Sequence, residues 1–107
     1  MSKVLSNKQT LTVAATAINY TTSAIDCSAY NSCAVQVNGV GAGAGTLTVE
    51  MSNDGTNWFT LGTATIASGL IMYNSGATLI GSQLLRAKVN VSAGTGSYDI
   101  LTTLKEV

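Results

Sequence analysis

The segment Thr46–Leu61, TLTVEMSNDGTNWFTL, limits the fold of this chain more than any other. From Thr46 to Met51 polar and apolar residues alternate, which is the period of a half-buried strand. A second β-like run follows an Asp-Gly pair, and this arrangement indicates a hairpin because glycine accepts the positive φ of a tight turn. The segment predicts a β protein with four structural residues at the turn: Asn53, Asp54, Gly55 and Trp58.

Short β-like runs continue along the chain, and no apolar stripe has the period of a helix. The clearest alternation is in Leu84–Val91, where Arg86 and Lys88 predict a solvent-facing side and the apolar residues between them a buried one. Gly-rich segments separate the runs, as in an antiparallel sandwich or small barrel, and 107 residues suffice for one domain. The predicted strands are Thr10–Ala17, Ala34–Val40, Thr46–Met51, Trp58–Leu61, Ala64–Ala67, Leu70–Tyr73, Leu84–Val91 and Ser97–Leu104.

The chain carries little charge with which to protect a surface. Charged residues make up 9% of the sequence, against roughly 25% in typical soluble domains, and the formal net charge is zero. Proline, which blunts exposed sheet edges, is absent. Association would cover such edges, so we expect a homo-oligomer rather than a Ser/Thr-coated monomer. Its expected contact is the apolar run Leu70, Ile71, Met72 and Tyr73.

The residue types needed for most chemistry are missing. The chain has no histidine, which is the commonest general base and the commonest metal ligand. Its acidic residues are scattered, and a backbone hydrogen bond within the turn explains Asp54 without catalysis. We therefore expect no enzyme activity, no metal and no cofactor.

The sequence also limits partners and location. The basic residues are dispersed and too few to grip a phosphate backbone, so we expect no nucleic-acid binding. No apolar run approaches the ~20 residues of a membrane span. The first ten residues, MSKVLSNKQT, lack the apolar core of a signal peptide, so we expect synthesis in the cytoplasm without Sec-type export.

Cys27 and Cys33 are separated by five residues, SAYNS. A disulfide across this turn is geometrically conceivable, but a cytoplasmic chain usually keeps its thiols reduced. Without histidine or further cysteine, a metal site would lack ligands. We expect both residues to be free thiols that pack as small apolar side chains.

Trp58 has two readings. Exposed tryptophans stack on sugar rings in carbohydrate-binding sites, but the sequence shows no second aromatic that would complete a platform. We expect Trp58 to be largely buried, packed over one end of the core.

Five segments form a recognisable series along the chain: Ser23–Tyr30, Cys33–Val37, Gly45–Trp58, Leu84–Val89 and Gly94–Asp99. Together they resemble small virion proteins of tailed bacteriophages. In such proteins an Ile-Asp segment, an apolar strand, a Gly-Thr-Leu strand, a Ser-Asn-Asp-Gly-Thr-Asn-Trp hairpin and a Leu-Arg-x-Lys strand frequently follow one another. The hairpin alone is also similar to a turn of discoidin-type galactose-binding-like jelly rolls. The resemblance runs from Thr22 to Lys105, which is most of the chain.

This resemblance implies an all-β chain that forms one antiparallel, jelly-roll-like β-sandwich of about eight strands. We expect the sandwich to span residues 11–107 and residues 1–10 to form an N-terminal arm, with Lys3, Leu5 and Lys8 as capsid contacts. The expected function is that of a decoration (cement) protein, which binds the major capsid protein and stabilises the head shell of the virion. A homotrimer is favoured, because knobs on icosahedral shells commonly occupy three-fold positions. The alternatives are a tail, neck or fibre-base component and a carbohydrate-binding module for host attachment.

Overall fold

The computed structural model describes residues 4–13, 18–39, 45–66, 70–75, 81–91 and 96–106, and these form nine strands. Residues 1–3, 14–17, 40–44, 67–69, 76–80, 92–95 and 107 lie outside the described residues. The strands are β1 (Val4–Val13), β2 (Ile18–Thr21), β3 (Ile25–Asp26), β4 (Ser32–Gly39), β5 (Gly45–Ser52), β6 (Phe59–Ile66), β7 (Leu70–Asn74), β8 (Leu84–Val91) and β9 (Gly96–Lys105).

The strand pairs are antiparallel and nested. β1 pairs with β9, β2 with β8, β4 with β7, and β5 with β6, as in one long hairpin. Pairing of β4 with β9 and of β5 with β8 rolls this hairpin into two sheets. Sheet A has the order β1-β9-β4-β7, and sheet B has the order β2-β8-β5-β6 with β3 also beside β8. The prediction of an all-β antiparallel sandwich is confirmed, and the nested pairing is that of a jelly roll.

Alternate residues of the central strands fill the space between the sheets. Burial of such side chains removes apolar area from water, at about 25 cal/mol per Å². The same alternation leaves the intervening residues on the two outer faces. The core contains Cys27, Cys33, Val35, Val37, Leu47, Val49, Ile66, Leu85, Ala87, Val89, Tyr98, Ile100 and Leu104.

The N-terminal segment lies within sheet A. From Val4 onward it is strand β1, in register with β9 from Val4 opposite Lys105 to Val13 opposite Gly96. The boundary expected at residue 10 therefore falls inside a strand, and residues 4–10 are not a separate arm. The alternation signal was weak because Asn7 and Gln9, rather than apolar residues, are half-buried beside Leu5. The Oε1 atom of Gln9 accepts hydrogen bonds from the Tyr20 hydroxyl and the Ser23 amide, both at 3.2 Å, which satisfies this polar group at the sheet edge.

Residues 59–61 and 64–66 of the runs predicted at 58–61 and 64–67 belong to one strand, β6, while Trp58 precedes it and residue 67 lies outside the described residues. The register of β6 with β5 shifts by one residue, since Val49 lies opposite Gly62 and Glu50 opposite Thr60. Leu61 is thus the extra residue of a β-bulge, which breaks the two-residue period that a strand prediction requires. The short strands β2 and β3 were not predicted, and residues 14–17 of the predicted run Thr10–Ala17 lie outside the described residues.

Candidate functional site

The β5–β6 hairpin ends in a turn held by side-chain hydrogen bonds. Gly55 has φ +76°, the left-handed conformation that glycine adopts without steric cost. The hydroxyl oxygen of Ser52 accepts bonds from the amides of Asp54 and Gly55 at 3.2 and 2.9 Å, and donates to Asp54 Oδ1 at 3.0 Å. These contacts fix the entry to the turn, and Ser52 itself is buried.

The carboxylate of Asp54 organises the rest of the turn. Its Oδ1 accepts the amides of Thr56 and Asn57 at 2.9 and 2.8 Å, and its Oδ2 accepts the Asn57 side-chain amide at 2.8 Å. The backbone N–H groups of Asn57 and Thr56 hold the pKa of Asp54 well below its ordinary value. Asn53 ties the turn to the segment before β8, since its Oδ1 accepts the Gln83 amide at 3.0 Å. These hydrogen bonds show that Asp54 and Asn53 stabilise the turn.

Trp58 lies outside the core, contrary to the expectation that it is largely buried. Its side chain is half-buried, and the Arg86 guanidinium stacks over its ring at 4.0 Å from the ring centroid. Arg86 in turn donates from Nε to Glu50 Oε1 at 2.9 Å, across directly opposed positions of β8 and β5. Trp58 therefore covers an ion pair on the outer face of sheet B, where a cation over an indole ring is favourable.

We expect Trp58→Ala to lower the free energy of unfolding by about 1–2 kcal/mol, because the side chain is only half-buried and its main specific contact is the cation–π stack. Trp58→Phe, which keeps a ring for Arg86, should lose less. Urea denaturation of the three proteins measures both values. A loss for Trp58→Ala above about 3 kcal/mol, the range for deleting a core aromatic, would contradict this placement.

A cleft of about 350 Å³ lies beside the same turn. Its apolar wall is formed by Phe59, which is 64% exposed, and by Met51 directly opposite it in the hairpin. Its polar wall includes Ser52, Asp54 and Asn57, whose hydrogen bonds already serve the turn. Phe59 was not singled out from the sequence, although an aromatic directly after Trp58 in an alternating strand must face the other side of the sheet.

The outer face of sheet A is a broad neutral surface. In one lateral row, Leu101 of β9 lies between Lys8 and Gln36, and Gln36 lies beside Met72. Met72 is 53% exposed, and Leu101 is half-buried. Asp99 is near the exposed Lys8 of the edge strand, with Oδ2 3.7 Å from Nζ. The centre of this face is therefore uncharged and partly apolar, and its charges lie toward the β1 edge and the ends of β9.

The two sets of contact residues expected from the sequence are divided by this geometry. Tyr73 is half-buried and packs against the core, whereas Met72 is exposed. The side chains of Leu70 and Ile71 lie outside the described residues, as does Lys3. Leu5 packs against the core, and Lys8 is exposed on β1. Met72 and Lys8 thus remain available for contacts.

Both cysteines are free, buried thiols. Cys27 Sγ donates to the backbone carbonyl of Ser82 at 3.3 Å, and burial raises the pKa of both thiols. They pack in the core as expected. Within the described ranges no group of three or more His, Cys, Asp or Glu residues could hold a metal ion, and no helix is long and apolar enough to cross a membrane.

Comparison with known proteins gives fold relatives. No family model matches the sequence, and a search of curated proteins gives no match. Among solved structures, the chain is similar to the PBSX exported protein XepA, with a TM-score of 0.67 and 16% identity over 100% of this chain. It spans 37% of the XepA chain.

Two other solved structures share the fold at lower similarity. PirA matches with a TM-score of 0.51 and 12% identity, over 94% of this chain and 93% of its own. A protein of Bacillus endospore appendages, described as a novel family of disulfide-linked pili, matches with a TM-score of 0.51 and 15% identity, over 100% of this chain and 90% of its own. At these identities the matches show a common fold.

Proposed function

We propose that this chain is a structural protein of a bacteriophage particle and that it decorates the outside of the head shell. The observation that carries the proposal is the outer face of sheet A, whose centre is neutral and presents Met72 and Leu101. Protein interfaces are depleted of charge at their cores and enriched in methionine. This face has the composition of a docking surface for another protein.

The solved structures that share this fold support a place in a phage particle or another extracellular assembly. XepA belongs to phage PBSX, and the endospore appendage protein is described as part of pili, so the same fold occurs in proteins exported from cells or built into extracellular structures. The resemblance to virion proteins of tailed phages favours the particle over a pilus. Binding to the assembled shell, but not to its free subunits, would stabilise the shell by mass action. The gain is about 2.7 kcal/mol per site when the free concentration of this protein is one hundred times Kd.

A sugar-binding role has less support. One face of the Trp58 ring carries Arg86, and Phe59 faces the opposite side of the sheet, so the two aromatics do not form one platform. A tail, neck or fibre-base position is the closer alternative, since it would use the same kind of neutral face.

The test is binding to heads assembled from the major capsid protein encoded in the same genome. Purified protein should co-sediment with heads, and Met72→Lys should weaken this binding by about tenfold or more, because a lysine charge would be desolvated at the interface. Thr65→Lys is the matched control, since it adds the same charge at an exposed position of β6 on sheet B. Binding to isolated tails instead of heads would contradict the head assignment, and equal binding of both variants would exclude the sheet A face.

A further inference from the structure

The edges of the two sheets differ in their capacity to pair with another strand. β2 and β3 have four and two residues, and β7 has five. β6 is longer but carries the bulge at Leu61. β1 has ten residues in unbroken register with β9. Short and bulged edges resist pairing with other chains, whereas a long regular edge invites it.

The sequence of β1 also offers little charge and no proline to protect its edge. β1 is the outermost strand of sheet A, so backbone N–H and C=O groups along it point away from β9. Its only charged residue is Lys8, and the chain has no proline. The hydrogen bonds that Gln9 accepts from Tyr20 and Ser23 go to its side-chain oxygen. They therefore do not occupy the backbone groups at the edge of β1.

We propose that two copies of this chain pair through β1, antiparallel and about a two-fold axis. Each sheet A has four strands, so the pair joins them into one continuous eight-stranded sheet. A two-fold contact uses the same strand on both copies and closes on itself, which consumes both long edges. This inference goes beyond the proposed function and does not depend on it, because it concerns the chain alone in solution.

Charge selects the register of the pair. Residues directly opposite each other in an antiparallel pair face the same side, so a two-fold register is centred on a residue. Centring on Lys8 places the two Lys8 side chains opposite each other, which is unfavourable. Centring on Gln9 keeps pairing from Leu5 to Val13 and places Lys8 of one copy opposite Thr10 of the other. The Gln9-centred register therefore has a long overlap without like charges directly opposite each other.

Position 10 separates the stability of the fold from the stability of the pair. Within one copy, Thr10 lies opposite Asp99, so Thr10→Lys places a cation beside an acid of the same chain. Between copies, the new lysine lies opposite Lys8 on both sides of the axis. Thr10→Lys should therefore leave thermal stability of the monomer intact while weakening the pair by about tenfold. Thr10→Glu should strengthen the pair through Lys8.

Sedimentation equilibrium of the purified chain up to about 100 µM tests this proposal. We expect a dimer for the native chain, a shift toward monomer for Thr10→Lys, and a dimer for the control Thr103→Lys, which adds the same charge on the neighbouring strand β9. A native chain that stays monomeric would overturn the proposal, and so would a trimer or a dimer insensitive to Thr10→Lys. Head binding is measured separately, so its failure would not be confused with failure of the pair.

Discussion

Leu47→Ala should lower the free energy of unfolding by about 2–5 kcal/mol, the range for deleting a buried leucine. Leu47 is fully buried in β5, between Ala64 of β6 and Val89 of β8. Truncation of the Leu47 side chain leaves a cavity between the two sheets. The neighbouring side chains cannot fill this cavity unless the strands β6 and β8 also move. Small domains are stable by only about 5–15 kcal/mol, so this one change should remove a large share of the stability of the protein.

Urea denaturation followed by circular dichroism measures this loss. Thr48→Ala is the control, because Thr48 is the next residue of β5, lies on the outer face and is half-buried. It should cost less than about 1 kcal/mol. If the two variants lost similar stability, the division of β5 into a buried and an outer face would be wrong.

Gly62→Ala should lower the free energy of unfolding by about 1–3 kcal/mol, through overpacking. A Cβ atom at Gly62 would lie 2.6 Å from Cζ and Oη of Tyr73, closer than such atoms approach. Gly62 is on β6 and Tyr73 on β7, the edge strands of different sheets, so this close approach closes one side of the sandwich. The clash must displace the Tyr73 ring or separate the two edges.

The sign of this effect should depend on Tyr73. Alanine is ordinarily more stable than glycine within a strand, by roughly 0.5–1 kcal/mol. In a Tyr73→Ser background, where the ring is absent, Gly62→Ala should therefore be neutral or stabilising. Chemical denaturation of the two single variants and the double variant gives the comparison. An equal penalty in both backgrounds would show that the ring is not the obstacle.

The hairpin and the β8 alternation could be read from the sequence because both are local. Asp54-Gly55 carries its turn chemistry within a few residues, and Leu85, Ala87 and Val89 alternate without interruption. The nested pairing of β1 with β9 and of β2 with β8 joins residues far apart in the chain, and no local pattern encodes it. The expectation of a jelly-roll-like arrangement came from the family resemblance, because the period of the strands does not specify which distant strands pair.

Three features lie elsewhere in the structure than the sequence predicted, and each difference has a physical cause. Residues 4–10 of β1 were expected to form an arm because Asn7 and Gln9 occupy inner positions there, which an edge strand tolerates where a partner such as Tyr20 reaches the polar group. β6 was divided because Leu61 is a bulge residue. Trp58 was expected in the core because it is a large apolar residue. Its actual position depends on Arg86, which lies opposite Glu50 on the outer face of sheet B and stacks on the Trp58 ring, and hydrophobicity alone does not reveal this contact.

The surface that carries the proposed function was only partly visible in the sequence. Met72 belongs to the run expected to make contacts, but Leu101 and Gln36 join it only through the pairing of β9 with β4 and of β4 with β7. The edge of β1 was hidden for the same reason. An interaction surface on a sheet is assembled from several strands, so it becomes readable once the strand order is known.

A cryo-electron microscopy reconstruction of the phage particle whose genome encodes the chain tests the proposed head location most directly. We expect density for the two-sheet sandwich on the outer surface of the head, with the outer face of sheet A, including Met72 and Leu101, against the shell. Density for this chain at the tail or neck, or on the head with the outer face of sheet A turned toward solvent, would contradict the proposed function.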